Sequence, residues 1–280
     1  MIPFWKLTPG GNPTILLRSE DVPPQHRAAA ARAVMSPLHI GAEQAGYIRL
    51  SGSPRLDMMG GEFCLNATRA FALLLARAGL LRQENGALAG EVEVSGVSDT
   101  VAVRVLEADK SAPGGSLPFA EACLRFRQLP VPEPCGDLFL VRVPGIAHII
   151  QAGAFPRDEM LAALCAKQRA QCGVAQEEAA GHIWLGSARE TAGERAFSIT
   201  PVVWVRNTDT LCRETACGSG TLAAALFEHA RSGATRFSIV QPSGCALSVR
   251  MERRGTAWEV WAGGPVRLTA CGETDLSGIL

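Results

Sequence analysis

Two predicted helices constrain the fold of this chain more than any other feature, because each is apolar and each is preceded directly by a cysteine. The first helix is predicted over residues 64–81 and begins at Cys64; the second is predicted over residues 218–232 and follows Cys217. The first has helical spacing of apolar residues on nearly every side and few charges, which is typical of a helix that is buried all round. The first helix therefore has to be surrounded by other elements.

The segments around the two helices follow the same order in both halves of the chain: strands, a central helix, then further strands. A Cys-x-x-x-Thr pattern occurs in both, as Cys64/Thr68 and Cys217/Thr221. This similarity predicts an internal pseudo-repeat of about half the chain.

A stiff, proline-rich segment at residues 130–134 is the predicted boundary between the halves. The expected N-terminal half is 1–129 and contains Cys64. The expected C-terminal half is 130–265 and contains Cys217, and a last strand within 266–280 is expected to pack back on the N-terminal half.

Charge and hydropathy exclude several classes of protein. The 280 residues contain 27 Lys and Arg against 27 Asp and Glu, so the balance of charge lacks the basic excess that a nucleic-acid partner normally requires. We find neither a secretory signal at the start nor an apolar run long enough to span a membrane. We therefore expect a soluble, cytoplasmic protein; the sequence leaves its oligomeric state open, a homodimer included.

The nine cysteines are scattered and odd in number, which favours reduced thiols over a disulfide framework. The absence of a Cys-x-x-Cys pair gives no support to a zinc ribbon or a thioredoxin-like site, so no metal is expected. A non-enzymatic, thiol-rich binding protein is an alternative interpretation. The lack of clustered Cys and His ligands weighs against it, and packing accounts more simply for six or seven of the cysteines.

A cysteine at the start of a helix has two chemical consequences. The unpaired N–H groups and the helix dipole favour a thiolate, so we expect a lowered cysteine pKa there. The same N–H groups bind a carboxylate, and the glycines in Cys217-Gly218-Ser219-Gly220 let a ligand approach the backbone. One thiolate and one thiol acting on opposite faces of an amino acid would invert its α-carbon without metal or cofactor.

At these residues the chain resembles the diaminopimelate epimerase family. Residues 64–69 are similar to its first cysteine motif, and residues 216–220 (Ala-Cys-Gly-Ser-Gly) are similar to its second. Residues 4–12 resemble its opening strand and Gly-Asn turn, residues 145–148 its Gly-Asn-Pro-His motif, and residues 260–265 its near-terminal strand. The resemblance covers nearly the whole chain.

The resemblance implies an α/β (α+β) fold of two pseudo-symmetric halves, each a curved, mostly antiparallel sheet around a central helix, with an amino-acid substrate in the cleft between them. It implies a racemase or epimerase that needs no cofactor and uses Cys64 and Cys217 as its base pair. The implied substrate contacts, with neighbours that line or flank the site, are Asn12, Glu43, Leu65, Asn66, His148, Glu214, Gly218 and Ser219.

Departures from the family motif bear on the substrate. Ile146 replaces the family's Asn, Leu65 replaces a Gly, and a Glu-Arg pair before the second cysteine is missing. A distal ammonium and carboxylate would then be left partly unpaired, which disfavours diaminopimelate.

The variant motifs look like those of the histidine racemases of this superfamily, which supply D-histidine to opine-type metallophores. An acidic side chain suits an imidazole, and Glu43 is the candidate to bind it. Diaminopimelate or another amino acid remains an alternative substrate. The phenazine-biosynthesis-like isomerases of the same fold are a rival, but they use an acidic residue in place of the cysteine pair.

Overall fold

The computed structural model of the protein describes residues 1–108, 116–191, 193–206 and 209–279. The loop predicted over residues 110–116 therefore lies outside the described residues except for Ser116. Asn207 and Thr208, in the shortened segment before Cys217, also lie outside them.

The chain divides into two compact units. Unit 1 comprises Met1–Leu124 and Gly263–Leu280, and unit 2 comprises Arg125–Ala262. The boundaries that the sequence suggests, 129/130 and 265/266, fall a few residues after these divisions.

Unit 1 opens with eight strands and two helices. The strands are β1 (Ile2–Thr8), β2 (Thr14–Arg18), β3 (Gln44–Arg49), β4 (Arg55–Met58), β5 (Arg82–Glu84), β6 (Ala87–Val94), β7 (Val101–Leu106) and β8 (Phe119–Phe126). The helices are α1 (Arg27–Met35), which follows a short 3-10 turn, and α2 (Leu65–Arg77).

The described part of unit 2 contains or begins ten strands and contains two helices. The strands are β9 (Glu133–Cys135), β10 (Leu138–Val143), β11 (Ile146–Ala152), β12 (Ala179–Leu185), β13 (Arg189–Thr191), β14 (Glu194–Val205), β15 (Thr210–Arg213), β16 (Arg236–Val240), β17 (Ala246–Arg254) and β18 (Ala257–Pro265). The helices are α3 (Asp158–Gln171) and α4 (Gly218–Ser232).

The two units pair their strands in the same order. In unit 1, β1–β2 is antiparallel, β2–β3 is parallel across α1, β3–β4 is antiparallel, β4–β6 is parallel across α2, and β6–β7 is antiparallel. In unit 2 the same sequence of directions runs through β10–β11, β11–β12, β12–β14, β14–β16 and β16–β17, with α3 and α4 as the crossovers. The internal repeat is therefore visible in the topology, and the α/β fold of two similar halves is confirmed.

The two central helices are buried, and for α2 this confirms the prediction from its apolar sequence. Every residue of α2 from Leu65 to Leu75 is buried, and every residue of α4 from Gly220 to Glu228. Helix α2 contacts β2, β4 and β7, while α4 contacts β10, β11, β12, β14 and β17. Gly233 ends α4 in the left-handed conformation, at φ 72°, as expected for a helix C-cap.

The last strand, β19 (Arg267–Thr274), returns the C-terminal segment to unit 1. It pairs antiparallel with β1, from Ile2 opposite Thr274 to Thr8 opposite Arg267. Strand β1 therefore lies between the second strand of the chain and the last one.

Two strands differ from those that the sequence predicts. The sequence predicts a strand over residues 124–129, but the strand runs over Phe119–Phe126. The sequence also predicts separate strands over residues 196–199 and 202–205, but these form the single strand β14, with Pro201 inside it. A proline cannot donate a ladder hydrogen bond, but Pro201 lies where β14 changes partners, after the residues paired with β16 and before those paired with β15. The missing N–H therefore falls in a gap of the ladder.

Among the described residues, no helix combines the length and the apolar character needed to cross a membrane.

Candidate active site

Cys64 is the N-cap of α2. Its backbone is extended (φ −127°, ψ 108°), and its sulfur accepts a hydrogen bond from the backbone N–H of Ala67, with Sγ and N 3.4 Å apart. The sulfur thus takes the position that a Ser or Asp oxygen normally occupies at a helix start and satisfies one of the unpaired N–H groups of the first turn.

Cys217 repeats this geometry at α4. Its backbone angles are φ −121° and ψ 107°, and its sulfur accepts from the N–H of Gly220 at 3.3 Å. The Cys-x-x-x-Thr pattern that occurs twice in the chain also has a structural basis. The hydroxyls of Thr68 and Thr221 donate to the carbonyls of Cys64 and Cys217, at 2.8 and 2.6 Å.

A serine from the following hairpin holds the loop before each cysteine. The Ser95 hydroxyl donates to the carbonyl of Glu62 at 2.7 Å, and the Ser243 N–H donates to the carbonyl of Thr215 at 2.9 Å. Each acceptor lies two residues before its cysteine, but the serine donates from its side chain in unit 1 and from its backbone in unit 2.

In unit 1 the hairpin turn at Gly96 lies very close to the backbone of the loop before Cys64. Gly96 has φ 78°, and a Cβ atom at this position would lie 2.2 Å from the backbone N of Phe63, the residue just before Cys64. Only a glycine fits there, both for its conformation and for the space.

A chain of side-chain hydrogen bonds leads from Cys64 to the Gly-Asn turn. The Cys64 thiol donates to Oε1 of Gln44 at 2.8 Å, and Nε2 of Gln44 donates to Oδ1 of Asn12. Asn12 is buried, with 1% of its surface exposed. The structure therefore connects predicted site residue Asn12 to Cys64 through Gln44, which the sequence analysis did not single out.

Gln241 has a corresponding role at Cys217 and was also missed. Its Oε1 accepts from the backbone N–H of Cys217 at 3.0 Å, and its Nε2 donates to the Thr221 hydroxyl at 3.0 Å. A buried glutamine with its amide groups used in this way fixes both the cysteine and the first turn of α4.

The electrostatics of Cys217 contradict the expectation of a lowered pKa. Burial raises the pKa of the Cys217 thiol well above its ordinary value, and the neighbouring Glu214 adds to the effect through its negative charge and a hydrogen bond. The Ser219 side chain and the Gly220 N–H act in the opposite direction but are outweighed. For Cys217 the helix-start argument alone was therefore wrong, because Cys217 is only 3% exposed.

Leu65 and Asn66 form the first turn of α2, and both are buried. Oδ1 of Asn66 accepts from Nη1 of Arg69 at 3.2 Å, while Nε of Arg69 donates to the Ala120 carbonyl at 3.1 Å. Asn66 thus takes part in a buried guanidinium network next to Cys64, and its predicted contact with substrate stays a prediction.

The remaining candidates differ in exposure. Gly218 is buried and Ser219 half-buried in the first turn of α4, where the Ser219 hydroxyl lies 3.5 Å from the Cys217 sulfur. Glu43 is exposed immediately before β3, and its N–H donates to the Pro13 carbonyl at 2.9 Å.

His148 lies in β11 and is completely buried against the backbone of Gly181. Burial lowers the pKa of His148 to about 3, so the ring is neutral. Within the described part of the chain, neither ring nitrogen has a hydrogen-bond partner. A ring of this kind cannot act as a cation toward a substrate at neutral pH.

Solved structures share the fold over almost the whole chain. A probable proline racemase from Agrobacterium radiobacter K84 superposes with a TM-score of 0.65 at 11% identity, covering 99% of this chain and 94% of that one. A hydroxyproline epimerase from Agrobacterium vitis gives a TM-score of 0.65 at 11% identity, covering 98% and 92%. A phenazine biosynthesis PhzF-family protein from Enterococcus faecalis gives 0.58 at 16% identity, covering 98% and 99%.

The relatives found by sequence are histidine racemases. A histidine racemase from Fusobacterium nucleatum subsp. nucleatum is 29% identical over 98% of this chain and 96% of its own length. A histidine racemase from Staphylococcus aureus is 24% identical over 98% and 97%.

These matches, together with the fold, define the protein as an isomerase of the racemase class. Residues 1–274 match the family described as "Histidine racemase CntK N-terminal domain", and the chain belongs to that family.

The close approach at Gly96 gives a testable prediction. The sequence predicts Cys64 as one base of the reaction. We therefore expect Gly96→Ala to displace residues 62–63 and with them the Cys64 sulfur, lowering kcat by roughly 10-fold or more, since small misplacements of a reacting group are costly. Gly86→Ala is the matched control, because Gly86 has a similar φ of 81° in another hairpin of unit 1 but no atom within 4 Å of its added Cβ. Equal losses in the two variants would show that backbone strain, and not the position of Cys64, is responsible.

Proposed function

We propose that the protein interconverts L- and D-histidine with Cys64 and Cys217 as its two acid–base groups. The observation that carries the proposal is the matched pair of N-capping thiols. In each, the sulfur accepts a hydrogen bond from an N–H of the first helical turn, and the cysteine carbonyl accepts one from a threonine hydroxyl. A serine donates to the loop that precedes the cysteine. Both cysteines cap the crossover helix at the same step of the repeated strand order.

The chemistry requires a base on one face of the α-carbon and an acid on the other. A thiolate removes the α-proton, and a thiol returns one from the opposite side. We assign the substrate carboxylate to the backbone N–H groups of Gly218 and Ser219, where the α4 dipole stabilises the negative charge that develops on it. The Gly220 N–H is already used by the Cys217 sulfur.

We assign Cys217 as the proton-bearing partner in the free enzyme. Its raised pKa and its hydrogen bond to Glu214 both favour the thiol. Cys64 is then the thiolate of the resting pair, and the Gln44 amide, which now accepts from the thiol, would turn its Nε2 toward the sulfur when the proton leaves. The amide can do this because its two ends differ only in donor and acceptor character.

The histidine substrate is supported by the names of the relatives and by the motif departures that disfavour diaminopimelate. We propose Glu43 as the acidic partner of the imidazole; its carboxylate is exposed, and desolvation therefore costs it little. The product D-histidine would serve as a building block of opine-type metallophores.

Deuterium exchange tests the reaction and the two thiols. We expect L-histidine in deuterated water, without pyridoxal phosphate, to yield D-histidine with deuterium at the α-carbon while the remaining L-histidine initially keeps its proton. Cys64→Ser and Cys217→Ser should each lower racemisation by roughly 100-fold or more. Cys271→Ser, at an exposed thiol of β19, is the control. No exchange with any amino acid would refute a racemase mechanism of this kind.

The raised pKa of Cys217 predicts a pH dependence. The alkaline limb of the kcat/KM profile should report loss of the Cys217 proton. Glu214→Gln removes a negative charge that raises this pKa, so the limb should move to lower pH by roughly one unit. Glu178→Gln, at an exposed carboxylate of the same unit, should leave the limb in place. An unmoved limb in Glu214→Gln would remove Glu214 from the control of Cys217.

Substrate preference tests Glu43. We expect Glu43→Ala to raise KM for histidine by roughly 10-fold or more while apolar amino acids are affected little, because only the imidazole loses an ionic partner. Glu84→Ala, at an exposed carboxylate elsewhere in unit 1, is the matched control. An unchanged ratio of kcat/KM values among amino acids would show that another group binds the side chain.

A further inference from the structure

Two cysteines outside the proposed site belong to the same apolar cluster of unit 2. Cys135 ends β9, and Cys172 is the C-cap of α3. Cys172 is a buried member of an apolar cluster that also includes Leu138, Leu140 and Trp204, and Cys135 packs against the same cluster. The Cys135 thiol lies near enough to Cys172 to contribute, after burial, to the raised pKa of the Cys172 thiol. Both are reduced in the structure.

A side-chain hydrogen bond connects the two segments that carry these cysteines. The side chain of Gln171, the residue before Cys172, donates from Nε2 to the Cys135 carbonyl at 2.6 Å. Gly136, at φ 71°, turns the chain directly after Cys135, and Nε2 of Gln171 would lie 2.7 Å from a Cβ atom placed there. The β9 turn is therefore docked on the end of α3 through a specific interaction next to each thiol.

The pair lies on the opposite face of the unit 2 sheet from α4. Leu138 and Leu140 of β10 point into the cluster that contains Cys172, whereas Phe139 between them contacts Phe227 of α4, with ring centroids 5.0 Å apart. Alternate residues of a strand point to opposite faces, so the sheet separates the Cys135–Cys172 pair from the helix that Cys217 caps.

We propose that Cys135 and Cys172 form a reversible oxidation site, which closes to an intramolecular disulfide when the protein meets a small disulfide such as oxidised glutathione. Two S–H bonds break and one S–S bond forms. The protein loses two protons and two electrons, and the small disulfide takes them up to give two thiol molecules. The proposal is independent of the amino acid on which the enzyme acts.

Exposure and acidity set the order of the two steps. Cys135 is partly exposed, so its thiolate attacks the small disulfide, forming a mixed disulfide and releasing the first thiol. Cys172 is buried, and burial with the adjacent Cys135 raises its pKa to about 12, so it acts second. Its attack on the Cys135 sulfur releases the second thiol and completes the bond.

The bond would fasten β9 to the end of α3 and close a long loop that contains β10, β11 and α3. A crosslink of that span restricts the unfolded chain, and we expect the midpoint of thermal unfolding to rise by roughly 5 °C. Because the pair lies across the sheet from α4, racemase activity should change less than twofold.

Peptide mapping tests the proposal on the full chain in the Cys212→Ser/Cys271→Ser background, which removes the two exposed thiols that could crosslink molecules. We expect incubation with oxidised glutathione to give a linked Cys135–Cys172 peptide with the mass of two hydrogen atoms lost, and dithiothreitol to restore both thiols. Cys172→Ala should stop at a glutathione adduct on Cys135, and Cys135→Ser should leave Cys172 unmodified. Neither variant should show the rise in unfolding temperature.

Two results would overturn the proposal. One is a stable glutathione adduct on Cys135 with Cys172 still reduced in the parent protein. The other is a linked peptide that joins either cysteine to a different partner. Neither result depends on activity, so each is distinguishable from a failure of the racemase mechanism.

Discussion

A single backbone N–H donated to a cysteine sulfur fixes the start of each central helix, and the arrangement of the proposed site depends on it. The bond occupies the third N–H of α2 and of α4 and holds each sulfur beside the N–H groups of the first turn. A serine in the same position would cap the helix equally well but would be far too weak an acid to share a proton with a second group at neutral pH. Sulfur therefore combines a structural and a chemical role at one atom.

The buried helices explain why the strands follow the same order twice. A helix with apolar residues on nearly all sides needs strands around it, and both units provide them through a parallel crossover followed by a hairpin. The hairpin has a second role in both units, because its turn carries the serine that positions the loop before the cysteine. Packing of the helix and placement of the thiol are thus consequences of the same element.

Local signals in the sequence were sufficient to predict the two helix starts, the glycine at the end of α4, the internal repeat and the family. They were not sufficient for Gln44 and Gln241, which lie 20 and 24 residues from the cysteines they contact and belong to no recognisable motif. The pKa of Cys217 was predicted in the wrong direction for a related reason. The helix dipole is a local property that a sequence pattern indicates, whereas burial and the approach of Glu214 depend on tertiary packing. The sequence predicts two strands where β14 is one, because proline usually breaks a strand. Only the strands that pair with β14 show why Pro201 is tolerated there.

The pairing of β1 with β19 has a consequence for synthesis on the ribosome. Unit 2 is a continuous segment and can complete its sheet as soon as residue 262 has left the exit tunnel. Unit 1 cannot, because the partner of its first strand is made only after all of unit 2. The N-terminal half must therefore wait, with one side of β1 unpaired, while the later half folds, which reverses the usual order in which domains of a nascent chain become native.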